Sequence, residues 1–139
     1  MVSRSIPRID VVEQAIAITG FTDDGVRSGH IDLDDLIPIG SIVLGWAATV
    51  TARFTGGAGT GAELTVGPPG EMGGFSAAGW HRLEGGAGRS IADVPTPASA
   101  VDNSGNTRKV RVTVRDTFDF GNITGGDLTL SVYFVRTVA

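Results

Sequence analysis

The stretch from Pro38 to Gly67 constrains this chain more than any other. From Ile42 to Phe54 every even position is apolar: Ile42, Leu44, Trp46, Ala48, Val50, Ala52 and Phe54. The odd positions are small or polar (Ser41, Gly45, Ala47, Thr49, Thr51, Arg53), with Val43 the exception. A period of two puts one row of side chains on a core and the other towards water or a partner. A helix would scatter Trp46 and Phe54 around its circumference, and the Thr and Val content disfavours it. A glycine-rich segment, Gly56-Gly57-Ala58-Gly59-Thr60-Gly61, leads into a second alternating run, Glu63 to Val66, which Gly67-Pro68-Pro69-Gly70 stops. The expectation is a β-hairpin with a long tip.

The rest of the chain reads in the same way. Ile9 to Thr19 is a strand candidate carrying Val12, Ile16 and Ile18 on one side; its β-branched end at Gly20 favours strand over a competing helix. Phe21 to Gly25 is a turn, and Ile31 and Leu33 resume the period of two. Gly67 to Gly88 is the least regular third, with one helical turn expected around Phe75 to Trp80. Arg89 to Val94 forms a short strand, and Asp102 to Asn106 a turn. Thr107 to Arg115 sets Val110, Val112 and Val114 against Lys109, Arg111, Thr113 and Arg115; Asp127 to Thr137 turns Leu128, Leu130, Val132 and Phe134 inward. About seven or eight strands with Gly-rich loops and no long helix predict an all-β fold, an antiparallel β-sandwich of jelly-roll-like form. Residues 9–139 form one domain, and 1–8 a loose N-terminal arm.

Composition narrows the function classes. The absence of Cys excludes disulfides, thiolate catalysis and Cys-based zinc sites. A net charge of −4 argues against a nucleic-acid partner, for which a basic footprint is expected. No window has the length of a membrane span, and the first ten residues lack the apolar core of a signal peptide, so a soluble protein made in a cytoplasm is expected. The 21 glycines, about twice the usual share, point to tight turns or close backbone approach.

No catalytic constellation stands out, and no cofactor or metal is expected. A dinucleotide loop needs a helix after its glycines, whereas a strand follows Gly61; Gly85 to Ser90 lacks both the first glycine and the lysine of a phosphate loop. His30, Asp32 and Asp34 share a strand face that suits a metal or a carboxylate-based hydrolase or lyase, but a solvated face explains them better. His81 has no nucleophile elbow near it. Trp80, beside His81 and Arg82, is a candidate for core packing or subunit contact, or for stacking on a sugar. The basic row Lys109, Arg111 and Arg115 faces outward, where it can pair with Asp32 and Asp34 of a neighbouring strand or chain, or protect an edge. Asn122-Ile123-Thr124 matches a glycosylation sequon, relevant only in a secreted eukaryotic protein.

Three segments carry a resemblance: Asp34 to Val43, Ala62 to Gly67, and Gly125 to Val135. In them the chain resembles small tailed-phage virion proteins, in particular head decoration (cement) proteins of the β-sandwich kind. The resemblance implies a non-enzymatic structural subunit, a homotrimer on the capsid surface, bound to the lattice of the major capsid protein after synthesis in the host cytoplasm. It also implies contact through an arm or loop tips, which here means Arg4, Ile6, Pro7, Arg8 and the glycine loops. Trp80, His81, Lys109 and Arg111 complete the expected partner-binding set. The alternative is a carbohydrate- or receptor-binding sandwich of a phage tail that uses Trp80.

Overall fold

Strict alternation of valines and leucines with charged or hydroxyl residues makes strands of the two C-terminal runs, and the whole fold is laid against them. In the computed structural model, residues 8–56, 62–83, 87–101, 108–117 and 119–136 are described, the side chain of Asp35 excepted. Arg4, Ile6 and Pro7, most of the glycine loop 56–61 and the turn at 102–106 lie outside them. The strands are β1 (Ile9–Ala17), β2 (Thr22–Asp23), β3 (Ser28–Ile37), β4 (Ser41–Thr55), β5 (Glu63–Gly67), β6 (His81–Arg82), β7 (Ser90–Asp93), β8 (Arg108–Arg115) and β9 (Gly125–Arg136). One turn of helix, α1 (Pro97–Ala100), precedes β8.

Two antiparallel sheets result, one ordered β1-β9-β4-β7 and the other β2-β3-β8-β5-β6. With the two-residue β2 set aside, the strands pair from the outside of the chain inward: β1 with β9, β3 with β8, β4 with β7, β5 with β6. Successive pairs alternate between the two sheets. A folded-over antiparallel ribbon of this kind is a jelly roll. The expected sandwich is therefore present, with nine strands among the described residues. The additional ones, β2 and β6, are two residues each and too short to leave a periodic signal.

The apolar rows meet between the sheets. Trp46, Ala48 and Val50 of β4 and Leu128, Leu130, Val132 and Phe134 of β9 face Leu33, Leu64, Val66, Val110, Val112 and Val114. The Trp46 indole Nε1 donates to the Phe75 carbonyl oxygen at 2.9 Å, which satisfies its one polar atom inside the core. Residues 68–80 fold back over the outer side of β5, so Thr65 is buried as fully as Leu64.

Three expectations are corrected. First, β4 and β5 do not form a hairpin: β4 pairs with β7 and β9 in one sheet, β5 with β6 and β8 in the other. A glycine-rich connection leads from one sheet to the other as readily as it turns back within one. Second, the even-numbered row of β4 does not face the core throughout. Val43 pairs with Phe134 and Gly45 with Tyr133, so two steps on β4 match one on β9 and Leu44 is the extra residue of a β-bulge. A one-residue slip exchanges faces: Ser41 and Val43 are buried before the bulge, Trp46, Ala48 and Val50 after it, and Leu44 is exposed. Third, Phe75 to Trp80 is a series of turns without a helix, and the helical turn falls instead at Pro97–Ala100.

Candidate interaction surface

The bulge has a direct effect on the outer face of the four-stranded sheet. Registers align four rows across it: Ile9–Val135–Ile42, Val11–Tyr133–Gly45, Glu13–Ser131–Ala47–Ala92 and Ala15–Thr129–Thr49–Ser90. The first row continues through a bridge from Ile42 to Val101. Ile9 and Val11 are more than half exposed, as is Val94 at the end of β7, and Leu44 and Tyr133 are also open. In these rows Glu13 is the only charged residue. Its carboxylate accepts a hydrogen bond from Ser131, and Thr49 bonds Ser90, so the polar half of the face is satisfied within itself. One half is aliphatic and aromatic and the other is small and hydroxylated. An apolar exposed patch of this kind marks a contact surface. The strand β1 at its border spans nine residues, ends the sheet, and carries no Pro or Lys to blunt the edge.

The opposite face is built from ion pairs. Arg111 on β8 grips Asp32 on β3 through Nε at 2.6 Å and Nη2 at 2.9 Å. That contact holds the Asp32 carboxyl below the ordinary aspartate range and raises the guanidinium. Lys109 lies 3.4 Å from Asp34, Arg115 lies 3.1 Å from Glu63, and the His30 Nδ1 lies 2.7 Å from Asp24. His30, Asp32 and Asp34 do share a face, yet each is engaged by a different partner. Among the described residues no three His, Asp or Glu side chains are grouped to hold a metal ion.

The expected partner-binding residues fall in different places. Arg8 lies next to Asp10, 3.9 Å away, at the start of β1 and on the border of the apolar face. Lys109 and Arg111 spend their charge within the chain, as one of the two alternatives for the basic row had it. Trp80 is half-buried under the Arg115 guanidinium, 4.0 Å from its ring centre, so one face of the indole is covered. The His81 Nε2 meets Asp93 at 2.7 Å and its ring stands edge-on to Trp46. Val11, Leu44 and Tyr133 escaped the sequence reading: Leu44 sat in the supposed core row, and short alternating runs do not say which face of a sheet is covered.

No family model matches the chain, and no curated protein sequence matches it. Its fold is similar to that of a chain in the cyanophage Pam1 capsid asymmetric unit, with a TM-score of 0.59 and 17% identity over 98% of this chain and 92% of that one. A chain of the capsid of Ralstonia phage GP4 aligns with a TM-score of 0.41 and 21% identity over 94% of this chain and 86% of that one. FLHE aligns with a TM-score of 0.45 and 10% identity over 92% and 97%. The Pam1 chain shares the fold along nearly its whole length.

Proposed function

We propose that this is a non-enzymatic virion structural protein that decorates and stabilises a phage capsid by binding the lattice of the major capsid protein. The largely apolar outer face of the four-stranded sheet, with Glu13 the only charge in its aligned rows, carries this reading. Three strands, β1, β4 and β9, present Ile9, Val11, Leu44, Ile42, Tyr133 and Val135 with no charged side chain among them, and such a surface suits a standing contact better than solvent. The whole-length likeness to a capsid chain supports it, as does the sequence resemblance to decoration proteins. Arg4, Ile6, Pro7 and Arg8 precede Ile9 in the sequence, and in this proposal they add to the contact with the shell. Many copies on a lattice let modest single contacts add through avidity. The protein acts as a homotrimer in this proposal, which sedimentation equilibrium checks.

The test is the copy number in purified virions relative to the major capsid protein, by quantitative mass spectrometry. Copies comparable to the capsid subunit establish decoration of the lattice. A few copies per particle move the protein to a vertex or the tail, and absence from virions overturns the proposal.

A further inference from the structure

Register decides which backbone groups β1 turns off the edge of its sheet. In an antiparallel ladder both groups of a residue point the same way, and successive residues point to opposite sides. Val50 spends both of its groups on the segment that enters β7: its N–H donates to the Arg89 carbonyl oxygen at 2.8 Å, and its carbonyl oxygen accepts from Gly88 at 2.7 Å. Trp46 and Ala48 therefore face β7 as well, while Ala47 and Thr49 face β9. Their partners Ser131 and Thr129 face back, which turns Leu128, Leu130, Val132 and Phe134 towards β1. The ladder of β1 with β9 runs without a shift, so Asp10, Val12, Gln14 and Ile16 make its bonds. Ile9, Val11, Glu13 and Ala15 point their N–H and C=O groups off the sheet. The Ala15 carbonyl oxygen accepts from the Gln14 side-chain amide at 3.2 Å. Among the described residues nothing bonds the outward groups of Ile9, Val11 and Glu13. This stretch carries no Pro, Lys or bulge, the devices that blunt an open edge.

The open stretch is its own complement. With a two-fold axis normal to the sheet at Val11, a second copy lies antiparallel to the first. Val11 then pairs with the partner's Val11, Ile9 with the partner's Glu13, and Glu13 with the partner's Ile9. Each is a hydrogen-bonded pair that exchanges two bonds, so every open group of both copies is used. No like charges meet, because Glu13 stands opposite Ile9 and Asp10 opposite Val12. The neighbouring registers are worse. An axis at Asp10 or at Glu13 sets that carboxylate against itself, and an axis at Val12 pairs Ile9 with Ala15, whose carbonyl oxygen Gln14 already holds. The axis at Val11 also keeps both outer faces on one side, so the row Gly45–Tyr133–Val11 runs on into the second copy.

We infer that two copies of this chain join edge to edge through Ile9 to Glu13 of β1, in the register centred on Val11, and so merge two four-stranded sheets into one. So short a contact is smaller than a stable interface of about 1,200–2,000 Å². It is weak between free molecules and gains where copies are held side by side. The pairing adds to the capsid reading without depending on it. Being two-fold, it links one homotrimer to the next instead of building one.

The chain has no Cys, so single cysteines report the register. Ile9→Cys and Glu13→Cys variants of the full chain are mixed at high concentration, oxidised, and read by non-reducing electrophoresis and mass spectrometry. Opposed Cα atoms in such a pair lie about 5.5 Å apart, within disulfide reach. Two copies of the same variant hold their cysteines four residues out of step, roughly 13 Å apart. The mixed disulfide is expected to form at least about tenfold faster than the disulfide of either variant alone. Val11→Pro removes one outward N–H and spares the β9 ladder, as Pro does on the free side of an edge strand. It should keep the circular dichroism of the parent and weaken concentration-dependent association in sedimentation velocity at least about tenfold. Where that variant fails to fold, the cysteine pair decides. Absence of the mixed disulfide gives the edge to a strand of some other protein and overturns the inference. Equal yields from either variant alone, or undiminished association of folded Val11→Pro, also overturn it. No shell is present in these measurements, so their failure is distinct from a failure of the virion count.

Discussion

His81 and Asp93 join the two sheets at their short edges: the imidazole Nε2 of β6 meets the carboxylate of β7 at 2.7 Å. The same carboxylate accepts the backbone N–H of Ala78 at 3.1 Å and of Val94 at 2.7 Å. One side chain, 4% exposed, therefore secures the turns over β5, the end of β7 and the edge strand β6.

Replacing Asp93 by Ala leaves these donors without an acceptor. The N–H groups of Ala78 and Val94 belong to exposed residues and can turn to water, and only the His81 contact is part-buried, so a net loss of about 1–2 kcal/mol is expected. Urea denaturation measures it; a midpoint equal to that of the parent protein contradicts the clasp.

The Asp32–Arg111 pair makes a pH-dependent contribution of known sign. The folded-state pKa of Asp32 is depressed from 3.8 by the guanidinium. The stabilisation is thus complete above that value and is lost as pH falls through the lower, folded one. With both side chains about one-third exposed, the contribution is about 0.5–1 kcal/mol. A double-mutant cycle with Asp32→Asn and Arg111→Met should find this coupling near neutral pH and none in strong acid. Equal coupling at both refutes the assignment.

Ser41 provides a prediction of opposite direction. The bulge at Leu44 turns Ser41 inward, where its hydroxyl is buried without a hydrogen-bond partner among the described residues. Ser41→Ala removes that group and should stabilise the fold by about 1 kcal/mol, read as a rise in Tm. A fall in Tm means that the hydroxyl has a partner.

Gly45 sits where the edge strand β7 comes closest: a Cβ there would lie 2.9 Å from the Asp93 carbonyl oxygen. Gly45→Ala must push β7 outward and is expected to cost about 1–3 kcal/mol. Hydrogen exchange should quicken at Ala48, whose partner in β7 is Ile91. Unaltered exchange along β4 argues against the close approach.

The apolar face is tested by Val11→Asp combined with Tyr133→Asp. Both side chains are exposed and paired across β1 and β9, so the fold should stay within about 1 kcal/mol of the parent. Co-sedimentation with capsid shells is expected to fall by at least about tenfold. Undiminished co-sedimentation moves the contact to another surface.

How much of this was legible depended on how local each cause is. In β8 and β9 the alternation of Val110–Val112–Val114 and Leu128–Leu130–Val132–Phe134 is uninterrupted, and the inward faces follow directly. The pairing of Lys109 and Arg111 with Asp34 and Asp32 was open as one of two alternatives, since strand charges opposite in sign attract wherever they are brought together. In β4 the same reading failed at Ile42 and Leu44, because a bulge is set by register against β9 and leaves no mark on the strand's own pattern. The strand pair 4 and 5 was misjudged for a related reason: whether a glycine-rich connection turns back or crosses over is decided by which partner strands are available.

Lys109 is the one lysine in the chain. Its amine is more than half exposed beside Asp34, on β8 of the ion-paired sheet. A lysine-directed reagent therefore has a single side-chain target, on the side away from the apolar face. Fluorophores, biotin or a bead linker attached there would present every molecule in one orientation with its dry face outward. The sequence thus carries its own point of conjugation for building ordered layers.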